Sequence, residues 1–252
     1  MQTLPPLLLN SIPKSGTHLM KQALTGIPNI STEAKNEFYE GYRKDDAANY
    51  ARLAQLPPGQ FATGHVYYSP EWRSMLGTLG IKQVFVIRDP RDIVVSYVHF
   101  IVYKYPYHPL VHHLRQELKT PKQRYLAIIN GVKNGRYNYP NFGQWLDPFL
   151  GWAWEQHTLR IAYEQLVRSP QSRRQTLSAV LDYWTNNRLE PHVQAEWLNR
   201  MEQNIDPRRS LTFRSGQIGD WRSAFDPEVK AAFKRVAGLR LIQLGYERNL
   251  NW

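Results

Sequence analysis

The stretch Leu7-Leu8-Leu9-Asn10-Ser11-Ile12-Pro13-Lys14-Ser15-Gly16-Thr17-His18 decides the fold, because an apolar run passes through a short loop of small residues into a helical pattern. Leu7, Leu8, Leu9 and Ile12 predict a buried strand. Leu19, Met20, Ala23 and Leu24 then recur at helical spacing until Gly26 and Pro28 stop the pattern. Such a turn aims free backbone N–H groups, and the positive end of the helix dipole, at whatever lies in front of the helix. A phosphate is the natural guest. Lys14 stands at the loop's entrance with an ammonium, Ser15 and Thr17 add hydroxyls, and Gly16 lets the backbone approach closely. The lysine precedes the glycine, so the Gly-x-x-x-x-Gly-Lys order of nucleotide triphosphatases is absent. Alone, the turn stays open between a phosphate cradle and an ordinary tight turn with a surface lysine.

Residues 81–87, Ile-Lys-Gln-Val-Phe-Val-Ile, give the clearest strand, a β-branched run of the kind covered on both faces. It runs into Arg88-Asp89-Pro90-Arg91-Asp92 and a helix carrying Ile93, Val94, Val95, Ser96, Tyr97, His99 and Phe100. Two strand-loop-helix units predict an α/β fold, a mostly parallel central sheet flanked by helices. Between them, residues 29–50 read as polar loop with aromatics at Phe38, Tyr39, Tyr42 and Tyr50, leading into a helix over 46–56. Pro57-Pro58-Gly59 breaks the chain, 61–66 is a short strand, and Ser69 caps a helix over 71–79 with Pro70 in its first turn. Residues 103–148 are the least regular and suit loops over a pocket, apart from a helix near 121–129. Their aromatics stand equally for pocket lining and for core packing. A helix-to-strand unit ends at Tyr163-Glu164-Gln165-Leu166, helices follow over 172–184 and 190–204, and a Gly-containing loop over 213–221 precedes a last helix over 227–244. No repeat or linker divides the chain, and one domain over 1–252 is expected.

Hydrophobic residues at 42% and charged residues at 21% are globular proportions. The absence of cysteine excludes disulfides, thiolate catalysis and cysteine-held metals, and suits a reducing, cytoplasmic setting. Residues 1–6 lack the features of a signal peptide, and no run approaches the ~20 apolar residues of a membrane span. Lysine and arginine total 32 against 21 acids, a formal charge of +11, which points to an anionic partner. The basic residues are scattered, which favours a small polyanionic cofactor over nucleic acid or an anionic surface.

Four stretches carry a family resemblance in the same order along the chain. Pro13-Lys14-Ser15-Gly16-Thr17 looks like the 5′-phosphosulfate loop of sulfotransferases that use 3′-phosphoadenosine 5′-phosphosulfate (PAPS). Arg88-Asp89-Pro90-Arg91-Asp92, with Ser96 eight positions after Arg88, looks like that family's 3′-phosphate motif. Arg214-Ser215-Gly216 with Gly219-Asp220-Trp221 looks like its C-terminal signature, and Tyr163-Glu164-Gln165-Leu166 resembles its Tyr-Glu-Asp-Leu. The resemblance implies a P-loop-kinase-like sulfotransferase fold, PAPS as donor with PAP as product, no metal, and a small-molecule acceptor bearing a hydroxyl. It implies that Lys14, Ser15, Gly16, Thr17 and the N–H of His18 hold the 5′ side, while Arg88 and Ser96 hold the 3′-phosphate with Arg214, Ser215 and Gly216 closing over it. A guanidinium fork and a hydroxyl suit a phosphate of nearly two charges.

His65, in Thr63-Gly64-His65, stands where cytosolic members carry a catalytic histidine in Lys-Thr-His, and is expected to take the acceptor proton, with Lys14 stabilising charge on the bridging oxygen. Glu33 is the reserve base. His99 is expected to be a packed helix residue, and Arg91 to face solvent or its acidic neighbours. The chain departs from the pattern in three places. Thr63 replaces the lysine of Lys-Thr-His. Leu19 replaces a tryptophan after the loop, so Tyr163 becomes the aromatic candidate for adenine. Lys234-Arg235-Val236-Ala237 stands where a Lys-Thr-Val-Glu dimer motif would be, which leaves the oligomeric state open. The competing readings are a P-loop-type kinase, which needs a magnesium ligand set, and a non-catalytic polyanion or nucleic-acid binder, which would weaken steeply with salt.

Overall fold

The computed structural model describes residues 4–39, 45–210 and 214–252. Tyr42 and the first residues of the stretches 1–6 and 213–221 lie outside the described residues. The regular elements in chain order are β1 (Leu7–Ser11), α1 (Thr17–Leu24), β2 (Glu37–Tyr39), α2 (Asp46–Ala54), β3 (Phe61–His65), α3 (Pro70–Thr78), β4 (Lys82–Ile87), α4 (Pro90–Tyr103), α5 (Pro121–Asn130), β5 (Val132–Lys133), β6 (Asn138–Tyr139), α6 (Phe142–Leu150), β7 (Thr158–Ala162), α7 (Tyr163–Val167), α8 (Pro170–Thr185), α9 (Pro191–Gln203), α10 (Trp221–Ala224) and α11 (Pro227–Leu244). The chain divides into two compact units, residues 1–87 with 149–210, and residues 88–148 with 211–252.

The first unit holds a five-stranded sheet in the order β2-β3-β1-β4-β7, every pair parallel. Leu7, Leu8 and Leu9 are wholly buried, as a central strand covered on both faces requires, each contributing about 1.5–3 kcal/mol by leaving water. Leu7 and Leu9 share a core with Val84 and Val86 of β4, Met20 and Leu24 of α1, Leu177 and Leu181 of α8, and Met201 of α9. The period-2 alternation of the strands thus meets the helical stripes on one side of the sheet. Register sets Asn10 opposite Gly64 and Ser11 opposite Val86, so the carboxyl ends of β1, β3 and β4 lie side by side. β1 lies between strands reached in opposite directions, the switch point where open α/β sheets bind ligands.

The second unit packs α4 against α5, α10 and α11. Phe142, Trp221, Phe225, Phe233 and Trp252 form an aromatic core beside them. The expected helix starts hold: Ser69 Oγ accepts from Trp72 N at 3.2 Å ahead of Pro70, and Asp226 accepts from Val229 N at 2.9 Å. Three readings are corrected. The loop expected over 29–45 contains strand β2, three residues long and too short to show a period. The irregular stretch 131–148 contains the β5–β6 hairpin and most of α6. Tyr163-Glu164-Gln165-Leu166 is not a strand end but the body of α7, which starts as soon as β7 stops.

Candidate active site

In the first unit, the loop between β1 and α1 is held in a conformation that side chains rarely adopt. Lys14 has φ 72° and Gly16 φ 100°, with Ser15 between them hydrogen-bonded back to Ile12 O at 3.1 Å. Alternating dihedrals of this kind turn successive N–H groups toward one concavity, the geometry of an anion nest. Gly16 is the N-cap of α1, no side chain caps the helix, and no acid stands in its first turn. The amides and dipole at that end are therefore available to an anion. Ser15 is fully buried and its Oγ has no hydrogen-bond partner, an arrangement that is costly until an acceptor arrives. A Cβ on Gly16 would come within 2.5 Å of the Tyr163 ring, so only glycine fits there.

His65 ends β3 beside this loop. Its Nδ1 lies 2.9 Å from the Ser11 carbonyl oxygen and 3.2 Å from Ser11 Oγ, which in turn is 2.6 Å from Thr17 Oγ1. A carbonyl only accepts, so Nδ1 carries the proton and Nε2 keeps its lone pair. No hydrogen bond to Nε2 is made by any described residue. Burial pushes the imidazole down to about 4, the charges of His18 and Lys14 push the same way, and the bond to Ser11 and the carboxylate of Glu37 oppose them. His65 is thus neutral at pH 7, a base with its acceptor nitrogen unengaged.

Asn10 fixes this geometry: its Oδ1 accepts from Ser11 N at 2.9 Å and Val66 N at 3.0 Å, and its Nδ2 donates to Val66 O at 3.3 Å, tying the end of β1 to the residue after His65. On the other side, β2 sets Tyr39 opposite His65, with ring centroids 5.7 Å apart. The Tyr39 hydroxyl donates to Glu37 Oε2 at 2.7 Å, and Lys21 Nζ reaches Glu37 Oε1 at 3.2 Å. Glu37 stays below the usual carboxylate range: desolvation works against this, and the bonds from Tyr39 and Lys21 outweigh it. Sequence reasoning missed Asn10, Ser11, Glu37 and Tyr39 as site residues. Two polar residues closing an apolar strand were a legible sign of the first pair; nothing short of β2's register marks the second.

The remaining expected residues of this unit fall as follows. His18 is exposed on α1, and desolvation, Lys14 and Lys21 hold it below its ordinary value. Glu33 Oε1 accepts from Gln60 and its other oxygen pairs with Lys35 at 3.0 Å, commitments away from His65. Tyr163, expected on adenine, is only 6% exposed with its ring against Gly16, a position that braces the loop.

The second unit brings the other two motifs together. Arg88, directly after β4, is buried and donates from Nη2 to Gln217 O at 3.0 Å. Asp92, in the first turn of α4 and fully buried, accepts from Gly219 N at 2.7 Å and Trp221 N at 3.0 Å. Burial raises the Asp92 carboxyl, while those two amides and Arg88 oppose the rise. Two buried charge-assisted bonds therefore dock the 214–221 loop on α4. Ser96 is buried farther along α4. Arg214 Nη2 and Ser215 Oγ both bond Asp220 Oδ2, which folds the loop on itself. The reading of Arg91 as solvent-facing is corrected: it is 2% exposed, bidentate to Asp89, bonded to Glu247 Oε1 at 2.6 Å, and stacked over Trp221 at 3.8 Å and Trp252 at 4.5 Å. The half it keeps is the pairing with an acidic neighbour. Of the irregular-stretch aromatics, Tyr97 packs with Trp145 and Tyr105 stacks on Phe100, whereas Tyr103 and Tyr107 are exposed. His99 is half-buried against Tyr103, as a packed helix residue.

The sulfotransferase domain model matches residues 4–245, nearly the whole chain. The chain belongs to the sulfotransferase domain family. It is 25% identical to human sulfotransferase 2B1 over 171 residues, covering 62% of this chain and 43% of that protein. Human sulfotransferase 1C2 is also 25% identical, over 172 residues that make up 62% of this chain and 53% of that protein, so the match spans about half the length of both human relatives. Mouse sulfotransferase 1A1 is 22% identical over 255 residues, with coverage of 86% and 78%. Among solved structures, mouse sulfotransferase SULT7A1 complexed with PAP superposes with a TM-score of 0.63 at 18% identity, covering 97% of this chain and 86% of that one. Retinol dehydratase in a complex with retinol and PAP gives 0.59 at 16%, covering 96% and 82%. At these identities the structural likeness shows the fold. Among the described residues no group of three or more metal-ligating side chains gathers, and no helix is long and apolar enough to cross a membrane.

Proposed function

We propose that this sulfotransferase-family chain moves a sulfuryl group from PAPS to a hydroxyl or amine of a small-molecule, lipid or sugar acceptor by in-line displacement. The observation that carries the reading is a neutral histidine, fixed as its Nδ1–H tautomer, beside an uncapped helix N-terminus that an anion would fill. The loop fits the donor's 5′ side on its own evidence: an orphaned buried hydroxyl at Ser15, and a glycine that admits no side chain. PAPS supplies an activated sulfuryl group with a phosphate as the leaving group. The amides of Gly16, Thr17 and His18 hold the 5′-phosphate, and the Lys14 ammonium offsets charge that builds on the bridging oxygen. His65 Nε2 takes the proton of the acceptor as its oxygen or nitrogen bonds to sulfur and the sulfur–oxygen bond to phosphate breaks.

Arg88 and Ser96 are assigned the 3′-phosphate, with Arg214, Ser215 and Gly216 beside them. Support comes from the motif match and from Arg88 being the first residue past β4. A family match over 4–245 that includes segments of both units supports one functional domain over 1–252. Zero cysteines favour the cytoplasm. The test is label transfer from PAPS to a panel of alcohols, phenols, sugars and amines. Lys14→Ala should cost about 10²–10³ in rate, and His65→Ala about 10²–10⁴. Transfer that survives Lys14→Ala undiminished would overturn the mechanism.

A further inference from the structure

Ser11 lies between the loop and the base, and its hydroxyl touches both: 2.6 Å to Thr17 Oγ1 and 3.2 Å to His65 Nδ1. It is completely buried, so water does not compete for these contacts. A hydroxyl has one proton to donate, and the direction it points is set by its neighbours. With the proton on Nδ1, Ser11 Oγ accepts on that side. Between Ser11 Oγ and Thr17 Oγ1 either hydroxyl can donate, and an anion in the loop that accepts from Thr17 turns the Ser11 proton onto Thr17 Oγ1. With an anion in place the three groups form a one-way chain from imidazole to phosphate site. Such chains polarise cooperatively in a low-dielectric interior.

Resting on the donor reading above, we propose that Ser11 is a positioning residue that couples occupation of the phosphate loop to the proton affinity of His65 through its hydroxyl. An anion accepting from Thr17 makes Thr17 Oγ1 a better acceptor. Ser11 Oγ then becomes a better acceptor in its turn, and the Nδ1–H of an imidazolium is stabilised. The other charged or titratable groups facing His65 are Lys14 and His18 from the loop and α1, and Glu37 with Tyr39 from β2. All of them remain in a Ser11 variant. The Ser11 carbonyl remains too, so Ser11→Ala removes the link without releasing the ring.

The experiment follows the His65 ring by NMR in isotope-labelled protein, titrating pH with and without PAP, and compares wild type, Ser11→Ala, Ser11→Thr and Thr17→Val. In wild type PAP should raise the His65 midpoint by about one pH unit, a tenfold gain in proton affinity. The rise should shrink to less than threefold in Ser11→Ala and in Thr17→Val, and return in Ser11→Thr. Direct Coulomb attraction from PAP acts alike in every variant, so equal rises in wild type and Ser11→Ala, with PAP bound to both, overturn the coupling and leave the donor reading intact. Should PAP bind none of the proteins, the donor reading falls and the coupling falls with it.

Discussion

Gly16→Ala is the sharpest perturbation the first unit offers, because two independent penalties meet at one Cα. At φ 100° an alanine enters a region that L-residues avoid, at about 1–2 kcal/mol. Its Cβ would also lie 2.5 Å from Cδ2 and 3.1 Å from Cε2 of Tyr163, a ring too rigid and too buried to swing clear. Overpacking of this kind costs about 1–3 kcal/mol. The sum, roughly 2–5 kcal/mol, should lower the midpoint of thermal unfolding by about 5–15 °C for a chain of this size. It should also weaken PAP binding, since the loop shifts to relieve the contact. Tyr163→Ala in the wild-type background leaves a cavity and costs about 3–5 kcal/mol. In the Gly16→Ala background it also removes the clash, so the double variant should be more stable than additivity predicts by about 1–3 kcal/mol. Denaturant unfolding of the four proteins closes the cycle. Additive effects would show that the ring does not brace the loop, and a Gly16→Ala protein as stable as wild type would refute both penalties.

Three further outcomes follow from the buried charges. The acid limb of kcat/KM should fall near pH 4, because His65 acts as a base only when deprotonated and its midpoint is depressed to about 4. Activity would then be level through pH 5–7, and a limb between pH 6 and 7 would refute the desolvation argument. Asp92→Asn keeps one acceptor and turns the other oxygen into a donor facing a backbone N–H, so the 214–221 loop should lose about 1–3 kcal/mol of local stability. Hydrogen exchange at Gly219 and Trp221 reads it, and unchanged protection would show that the loop is docked by other contacts. Arg91→Lys keeps the charge but loses the fork on Asp89 and the stack on Trp221 and Trp252; unfolding should report a loss of about 3–5 kcal/mol, and a loss under 1 would mean the guanidinium is replaceable.

What was legible in the sequence follows the length of the signal. The β1–loop–α1 and β4–loop–α4 units were readable because a strand buried on both faces needs unbroken apolar residues, and the helices after them run long enough to show a period. Their loops carry the candidate site residues, so Lys14, Ser15, Gly16 and Arg88 were named with them. β2 escaped because three residues have no period, and with it went the carboxylate and phenol beside His65. Arg91 was half legible: sequence shows its charge and its acidic neighbour Asp89, but not the two tryptophans, one of them 161 residues away, that make a place for a buried guanidinium. Tyr163 became the adenine candidate because Leu19 stands where a tryptophan was expected, whereas its burial against Gly16 depends on α7 starting directly at the end of β7.

The electrostatics of the first unit set two demands against each other. Burial is the largest cause of the low His65 midpoint, and the positive charge that holding an anion calls for, Lys14 in the loop, pushes it the same way. A midpoint near 4 leaves His65 fully neutral at pH 7, yet about three units below the value at which a general base works best there. An empty loop therefore holds a poor base. On the proposed coupling, an anion in the loop would offset the Lys14 charge and the Ser11 hydroxyl would carry that change to Nδ1, so the base would strengthen once a donor is in place. The proposed mechanism would thereby tie proton abstraction to the presence of the group to be transferred. The dependence predicts that the depressed midpoint belongs to the free protein, and that kcat, which reports the loaded complex, should show its acid limb at higher pH than kcat/KM. Identical limbs in the two profiles would mean that the loop and the base titrate independently.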